Sequence, residues 1–282
     1  MNEMTRRSFL PAAGAALAAA PPSQAQSVQR KGRLKQSVTR GCFGKGMPLA
    51  EMCRNAARLG IKGFDLIGPE DWPVLKEHGL VPTMVPGGST IRDGINRIEN
   101  HARIEPLHRE AIEKTAAAGA PNVIILSGER KGISDEEGIE NSVRFLNKVK
   151  ALAEDKGVTI CLELLNSKVN HPDYQCDHTS WGVEVCKRVN SPRVKLLYDI
   201  YHMQIMEGDI IRTIRENIQY IAHFHTAGVP GRHEIDDRQE LNYRPVAQAI
   251  VDAGFTGYLA HEYSPTRDPL RSLEEAIETC DV

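Results

Sequence analysis

Residues 158–166 read VTICLELLN, an apolar run of strand length with one carboxylate, Glu163, near its end. Such a run suits a strand buried in a sheet. A buried carboxylate is costly unless it is paired or bound to a cation, so the surroundings of Glu163 bear on fold and function together. Seven further β-rich runs occur: LKQSV (34–38), GFDLIG (63–68), LVPTMV (80–85), NVIILSG (122–128), VKLLYDI (194–200), YIAHFHTA (220–227) and GYLAHEY (257–263). Helical patterns lie between runs at 49–59, 107–118, 136–155 and 246–253, with Gly60, Gly119, Gly157 and Gly254 placed as C-terminal caps. Eight strand–helix alternations in about 250 residues predict an α/β fold, the closed (β/α)8 TIM barrel. The alternative is a doubly wound open sheet, which usually carries a glycine-rich phosphate turn after an early strand. Neither GPED (68–71) nor GERKG (128–132) has that form. The two longest connections, 85–101 and 166–178, both follow strands, where barrel active-site loops belong.

Composition narrows the function classes. The chain has 282 residues, 41% apolar and 26% charged, with formal net charge −2. That is enough apolar material for a full core. It gives no basic field for a nucleic-acid partner, and aromatics at 5% argue against a base-stacking surface.

The first 25 residues differ from the rest. Arg6 and Arg7 precede Phe9, Leu10 and an alanine-rich run, and the small residues Ser23 and Ala25 follow. This is the order of a cleavable export signal, and Thr-Arg-Arg-Ser-Phe-Leu resembles the twin-arginine type. The expectation is cleavage after Ala25, a periplasmic or other extracytoplasmic location, a single barrel domain over 26–282, and no membrane span once the leader is gone, the run from Phe9 to Ala20 being too short. The six cysteines form no CxxC pair, and Cys161 sits in an apolar run. Free buried thiols are expected rather than an obligatory disulfide framework.

Barrel enzymes place their chemistry at the C-terminal ends of strands. There the last four runs carry Glu163, then Asp199 and His202, then His223 and His225, then His261 and Glu262. Glu163, Asp199, His225 and Glu262 follow one another at 36, 26 and 37 residues, about one βα unit each. Three carboxylates at one barrel mouth would repel each other, and a divalent cation removes that repulsion. Three oxygens and one imidazole suit Mn2+, Mg2+, Co2+ or Zn2+. Read singly, each residue has an ordinary explanation: a helix cap for Asp199, a satisfied core histidine for His225, a rim ion pair for Glu262. The ordered set favours a metal site. His223 lies two residues from His225 on the same strand face and is a second candidate ligand. His261 points away from Glu262 and is expected to serve structure.

These residues resemble the xylose isomerase-like barrel superfamily, which includes hydroxypyruvate isomerases, ketose 3-epimerases and endonuclease IV-type enzymes. The motifs are LELLN with Glu163 and Asn166, YDIYHMQ (198–204), AGVPGRHEID (227–236) followed by ELNY (240–243), HEY (261–263), and SGERKGISDEEG (127–138). Hydroxypyruvate isomerase is the nearest resemblance. It implies that Glu163, Asp199, His225 and Glu262 bind the metal, that Glu163 and Glu262 form the acid/base pair, and that His202 and Arg232 bind substrate oxygens. The implied chemistry moves a proton between adjacent carbons of a small hydroxy-keto acid or sugar through an enediolate. His225 stands where hydroxypyruvate isomerases often have Gln and the epimerases His, which leaves the substrate open. Ketose 3-epimerase is the alternative within enzymes, and a non-catalytic exported sugar-binding barrel is the alternative outside them. The endonuclease branch fits poorly, because a trinuclear zinc site needs more strand-end histidines. Assembly into a homo-oligomer is left open.

Overall fold

The structure, a computed structural model, describes residues 30–282; the leader expected over 1–25 lies outside them. Eight parallel strands are present: β1 (Lys35–Val38), β2 (Gly63–Asp65), β3 (Val81–Met84), β4 (Asn122–Ile125), β5 (Thr159–Glu163), β6 (Val194–Asp199), β7 (Ile221–Thr226) and β8 (Tyr258–His261). The sheet runs in the order β3-β2-β1-β8-β7-β6-β5-β4. It closes through Val85, whose N–H donates to Asn122 O at 3.0 Å and whose carbonyl accepts from Ile124 N at 2.9 Å. The fold is therefore the TIM barrel that the alternation predicts.

Nine helices are described: α1 (Leu49–Leu59), α2 (Trp72–Glu77), α3 (Ile98–Ala117), α4 (Asp135–Lys156), α5 (Thr179–Val189), α6 (Ile200–Met206), α7 (Ile210–Asn217), α8 (Tyr243–Asp252) and α9 (Pro269–Cys280). Local signals set their ends. The Ser134 side chain accepts from Glu137 N to start α4, and Gly157, at φ 69°, ends it. Asp268 caps α9 in the same way, with Pro269 at the first helical position. Helix α3 begins nine residues before the pattern at 107–118 and runs through Pro106. A proline removes one helical hydrogen bond. Burial of His101, Ile104, His108 and Ile112 on one face offsets that loss. The connection after β3 is correspondingly shorter than the expected 85–101.

Alternation along the strands sorts the barrel interior. Met84, Ile124, Cys161 and Leu197, from β3 to β6, form a buried apolar cluster separate from the larger core. Cys161 and Leu197 lie two residues before Glu163 and Asp199, so they share a face with them. Ser37, Asp65 and His223 make a second interior group that is polar and fully buried. All six cysteines are free and buried. Among the described residues, no helix is long and apolar enough to cross a membrane.

Candidate active site

Strand register brings the acidic ends together. Asp199 pairs directly with His225 across β6 and β7, while Glu163 pairs with Leu197 two residues before Asp199. Glu262 follows β8 and extends it, its N–H donating to Thr226 O at 3.0 Å. One donor atom from each of Glu163, Asp199, His225 and Glu262 lies within 4.8 Å of every other. His225 Nδ1 is central: Glu262 Oε2 is 2.6 Å away, Glu163 Oε1 3.5 Å and Asp199 Oδ2 3.8 Å. All but Glu262 are buried.

The electrostatics are those of a site that gathers positive charge. Burial pushes the Glu163 carboxyl upward; His225 offsets part of this, and the charges of Glu262 and Asp199 add to it. Burial alone would raise Glu262 too, but the charges of His225 and Arg232 outweigh it and bring that carboxyl down to about 2. Burial disfavours a charged His225, yet Glu262, Asp65 and Glu163 more than offset it and push its pKa up. His225 Nδ1 is buried and makes no hydrogen bond of good geometry despite its short approach to Glu262. A buried nitrogen aimed at three carboxylates without a proper hydrogen bond fits a cation ligand, and the donor set of three oxygens and one nitrogen suits a divalent ion.

His202 and Arg232 join the same mouth. Asp199 caps α6 by accepting from His202 N at 3.1 Å, which fixes the ring one turn above it. Asn166 N donates to His202 Nδ1 at 3.1 Å, and burial pushes the ring's pKa down to about 3, keeping it neutral. Arg232 lies against His202 Nε2 through Nη1, and its Nη2 donates to Asp199 Oδ2 at 2.9 Å. A cavity of about 490 Å3 opens beside them. Glu163, His202, Arg232 and Glu262 line one part of it, and Leu66, Ile91, Leu126 and Leu165 line another.

Two histidines separate from this group. His261 is buried with Nδ1 2.9 Å from Thr226 Oγ1 and Nε2 2.9 Å from Gln36 Oε1. His223 Nε2 instead approaches Asp65 Oδ2 at 2.6 Å. In the sequence Asp65 lies in the middle of the run GFDLIG (63–68), not at its end. The strand ends at Asp65, and Leu66 leaves it in a left-handed conformation at φ 56°. The signal was present as a lone carboxylate in an apolar run. Glu234, in the GVPGRHE motif, is a brace: it accepts from Thr266 N at 2.7 Å and from Ser272 Oγ at 3.1 Å, holding the loop that carries Arg232.

An eight-stranded parallel barrel with such a mouth is the architecture of a barrel enzyme. The chain belongs to the xylose isomerase-like TIM barrel family, whose model matches residues 53–281. It is 28% identical to the 2-oxo-tetronate isomerase of Haemophilus influenzae over 240 residues, covering 81% of this chain and 92% of that protein. A provisionally named hydroxypyruvate isomerase of Drosophila melanogaster is 33% identical over 237 residues, covering 80% of this chain and 89% of that one. Among solved structures, the family 2 AP endonuclease of Brucella melitensis superposes with a TM-score of 0.76 at 26% identity, covering 85% of this chain and 97% of that one. Fold, site and relatives make the chain an enzyme of the isomerase class.

Proposed function

We propose that the enzyme is a divalent-cation-dependent isomerase that interconverts ketose-type and aldose-type forms of a small hydroxy-carbonyl compound, such as hydroxypyruvate and tartronate semialdehyde, through an enediolate. The convergence of Glu163, Asp199, His225 and Glu262 on one point beside the cavity carries this reading. The names of the relatives support the class of reaction. A cation held by these four residues would polarise the substrate carbonyl and stabilise the developing negative charge. Glu163 and Glu262, which both face the cavity, are the acid/base pair. One takes the proton from the hydroxyl-bearing carbon, and a proton is returned to the former carbonyl carbon. The hydroxyl proton passes to the former carbonyl oxygen, so the substrate is rearranged with no net gain or loss of atoms. His202 and Arg232 hold substrate oxygens, Arg232 offering a planar fork matched to a carboxylate.

The test is solvent deuterium exchange into hydroxypyruvate. Incorporation that needs added Mn2+ or Mg2+ and disappears in Glu262→Gln is the expected result. No exchange into hydroxypyruvate or any ketose or aldose tried, by a cation-loaded protein, would sink the reading. The cavity favours a second possibility. At about 490 Å3 with an aliphatic wall it falls in the size range of pockets that enclose drug-sized ligands, roughly 300–1,000 Å3. That leaves room for a longer sugar acid or a ketose, as 3-epimerisation would need. Product analysis with four- to six-carbon ketoses separates the two.

We propose separately that residues 1–25 direct twin-arginine export. Periplasmic location lost on changing Arg6 and Arg7 to Lys is the expected result, and unchanged location refutes it.

A further inference from the structure

The polar half of the barrel interior stands directly behind His225. Asp65 is fully buried. Its Oδ2 lies 3.0 Å from His225 Nε2 and 2.6 Å from His223 Nε2. On its other oxygen, Oδ1, Ser37 Oγ donates at 2.9 Å and Thr83 Oγ1 donates as well. Three strands besides its own thus supply donors to this one carboxylate. With donors already on Oδ1, Oδ2 is the acceptor of the pair, so the hydrogen bond to Asp65 places the proton on His225 Nε2. Nδ1 is then the nitrogen that faces Glu163, Asp199 and Glu262.

We propose that Asp65 is the positioning residue of the cation site: it fixes the ring orientation of His225, with Nδ1 toward the three carboxylates, and thereby sets the affinity for a divalent ion. This rests on the reading of the four-residue cluster as a cation site. An imidazole can rotate about its Cβ–Cγ bond and present carbon instead of nitrogen. A carboxylate behind the ring removes that freedom and raises the ligand's basicity, and loss of such a partner typically weakens metal binding 10- to 100-fold. The other half of the interior offers no such partner, because Met84, Ile124, Cys161 and Leu197 fill it.

The test is Mn2+ binding to the cation-free full chain by isothermal titration, in Asp65→Asn, His225→Gln and the double variant. Asn keeps the volume of Asp65 and loses the charge. Asp65→Asn is expected to raise the Mn2+ dissociation constant 10- to 100-fold, and to change it less than threefold when His225 is already Gln. An unchanged constant in Asp65→Asn overturns the proposal. So does an equal loss in both backgrounds, which would mark Asp65 as a support of the barrel alone. If Asp65→Asn does not fold, Thr83→Val removes one donor to Asp65 and is expected to weaken Mn2+ several-fold only when His225 is present; no change overturns the proposal. A wild-type chain that binds no Mn2+ overturns the cation site itself, and the role of Asp65 with it.

Discussion

Arg232 Nη2 lies 2.6 Å from Glu262 Oε2, and Arg232 Nε donates to the Glu262 carbonyl at 3.2 Å. One guanidinium thus grips both the side chain and the backbone of the residue after β8. The Arg232 backbone is left-handed at φ 57°, and Ser264 N holds its carbonyl at 2.9 Å. Such strain outside glycine persists where the surroundings impose it and clusters at functional sites. Lys at this position keeps the charge but not the fork. Arg232→Lys is therefore expected to raise KM for hydroxypyruvate roughly tenfold, about 1.4 kcal/mol, with a smaller change in kcat. Steady-state kinetics check this, and an unaltered KM removes Arg232 from substrate binding.

Stability should report the cation directly. A ligand at about 100 times its dissociation constant adds about 2.7 kcal/mol to a folded protein that binds it. For a chain of this length each kcal/mol moves Tm by roughly 2–4 °C. Saturating Mn2+ is expected to raise Tm by roughly 5–10 °C, chelation to reverse the shift, and Glu163→Gln to lose most of it. Thermal unfolding that ignores Mn2+ in the wild-type chain would speak against the site.

Much of this arrangement was legible in the residues because a parallel barrel repeats a simple period. Each strand lies on an apolar run, and Glu163, Asp199, His225 and Glu262 stand out because strand ends share one mouth. What escaped depended on backbone detail. Asp65 was hidden because Leu66 turns out of the strand three residues earlier than its apolar neighbours suggest. The first nine residues of α3 lie outside the helical pattern at 107–118; burial of the face carrying Ile104 and His108 carries the helix through Pro106. The separation of His223 from His225 could not be read from spacing, since both project from one face of β7. Both rings approach Asp65, and what divides them is depth: His225, two residues nearer the mouth, also reaches Glu163, Asp199 and Glu262 through Nδ1.

Tyr174 ties the segment that follows β4 to the end of β5. Its hydroxyl donates to Glu163 O at 3.0 Å and accepts from Ser127 N at 3.0 Å, and the side chain is fully buried. Tyr174→Phe leaves a buried N–H and a buried carbonyl without that partner. A loss of about 1–3 kcal/mol is expected, measured by denaturant unfolding of the cation-free chain. A loss under about 0.5 kcal/mol, the size of an ordinary surface change, would show that other groups satisfy these atoms.

His108 makes the wall of the cavity sensitive to acid. It lies on α3, fully buried, with Nδ1 donating to Gly87 O at 2.9 Å, and Gly87 lines the cavity. The approach is so close that a Cβ on Gly87 would meet His108 Nδ1 at 2.6 Å and Ile124 O as well, so only glycine fits. Burial pushes the His108 pKa from 6.5 down to about 4. Above pH 6.5 the ring is neutral in both folded and unfolded chains, and its contribution to stability is complete. As pH falls from 6.5 toward 4, the unfolded chain takes up a proton that the folded chain refuses, so stability drops by up to about 1.4 kcal/mol per pH unit from this group. His108→Gln is expected to remove that component. The stability difference between wild type and variant should therefore shift against the wild type by roughly 2 kcal/mol between pH 7 and pH 5, as urea unfolding at the two pH values would show. A difference that stays constant across this window would mean that His108 is protonated equally in both states.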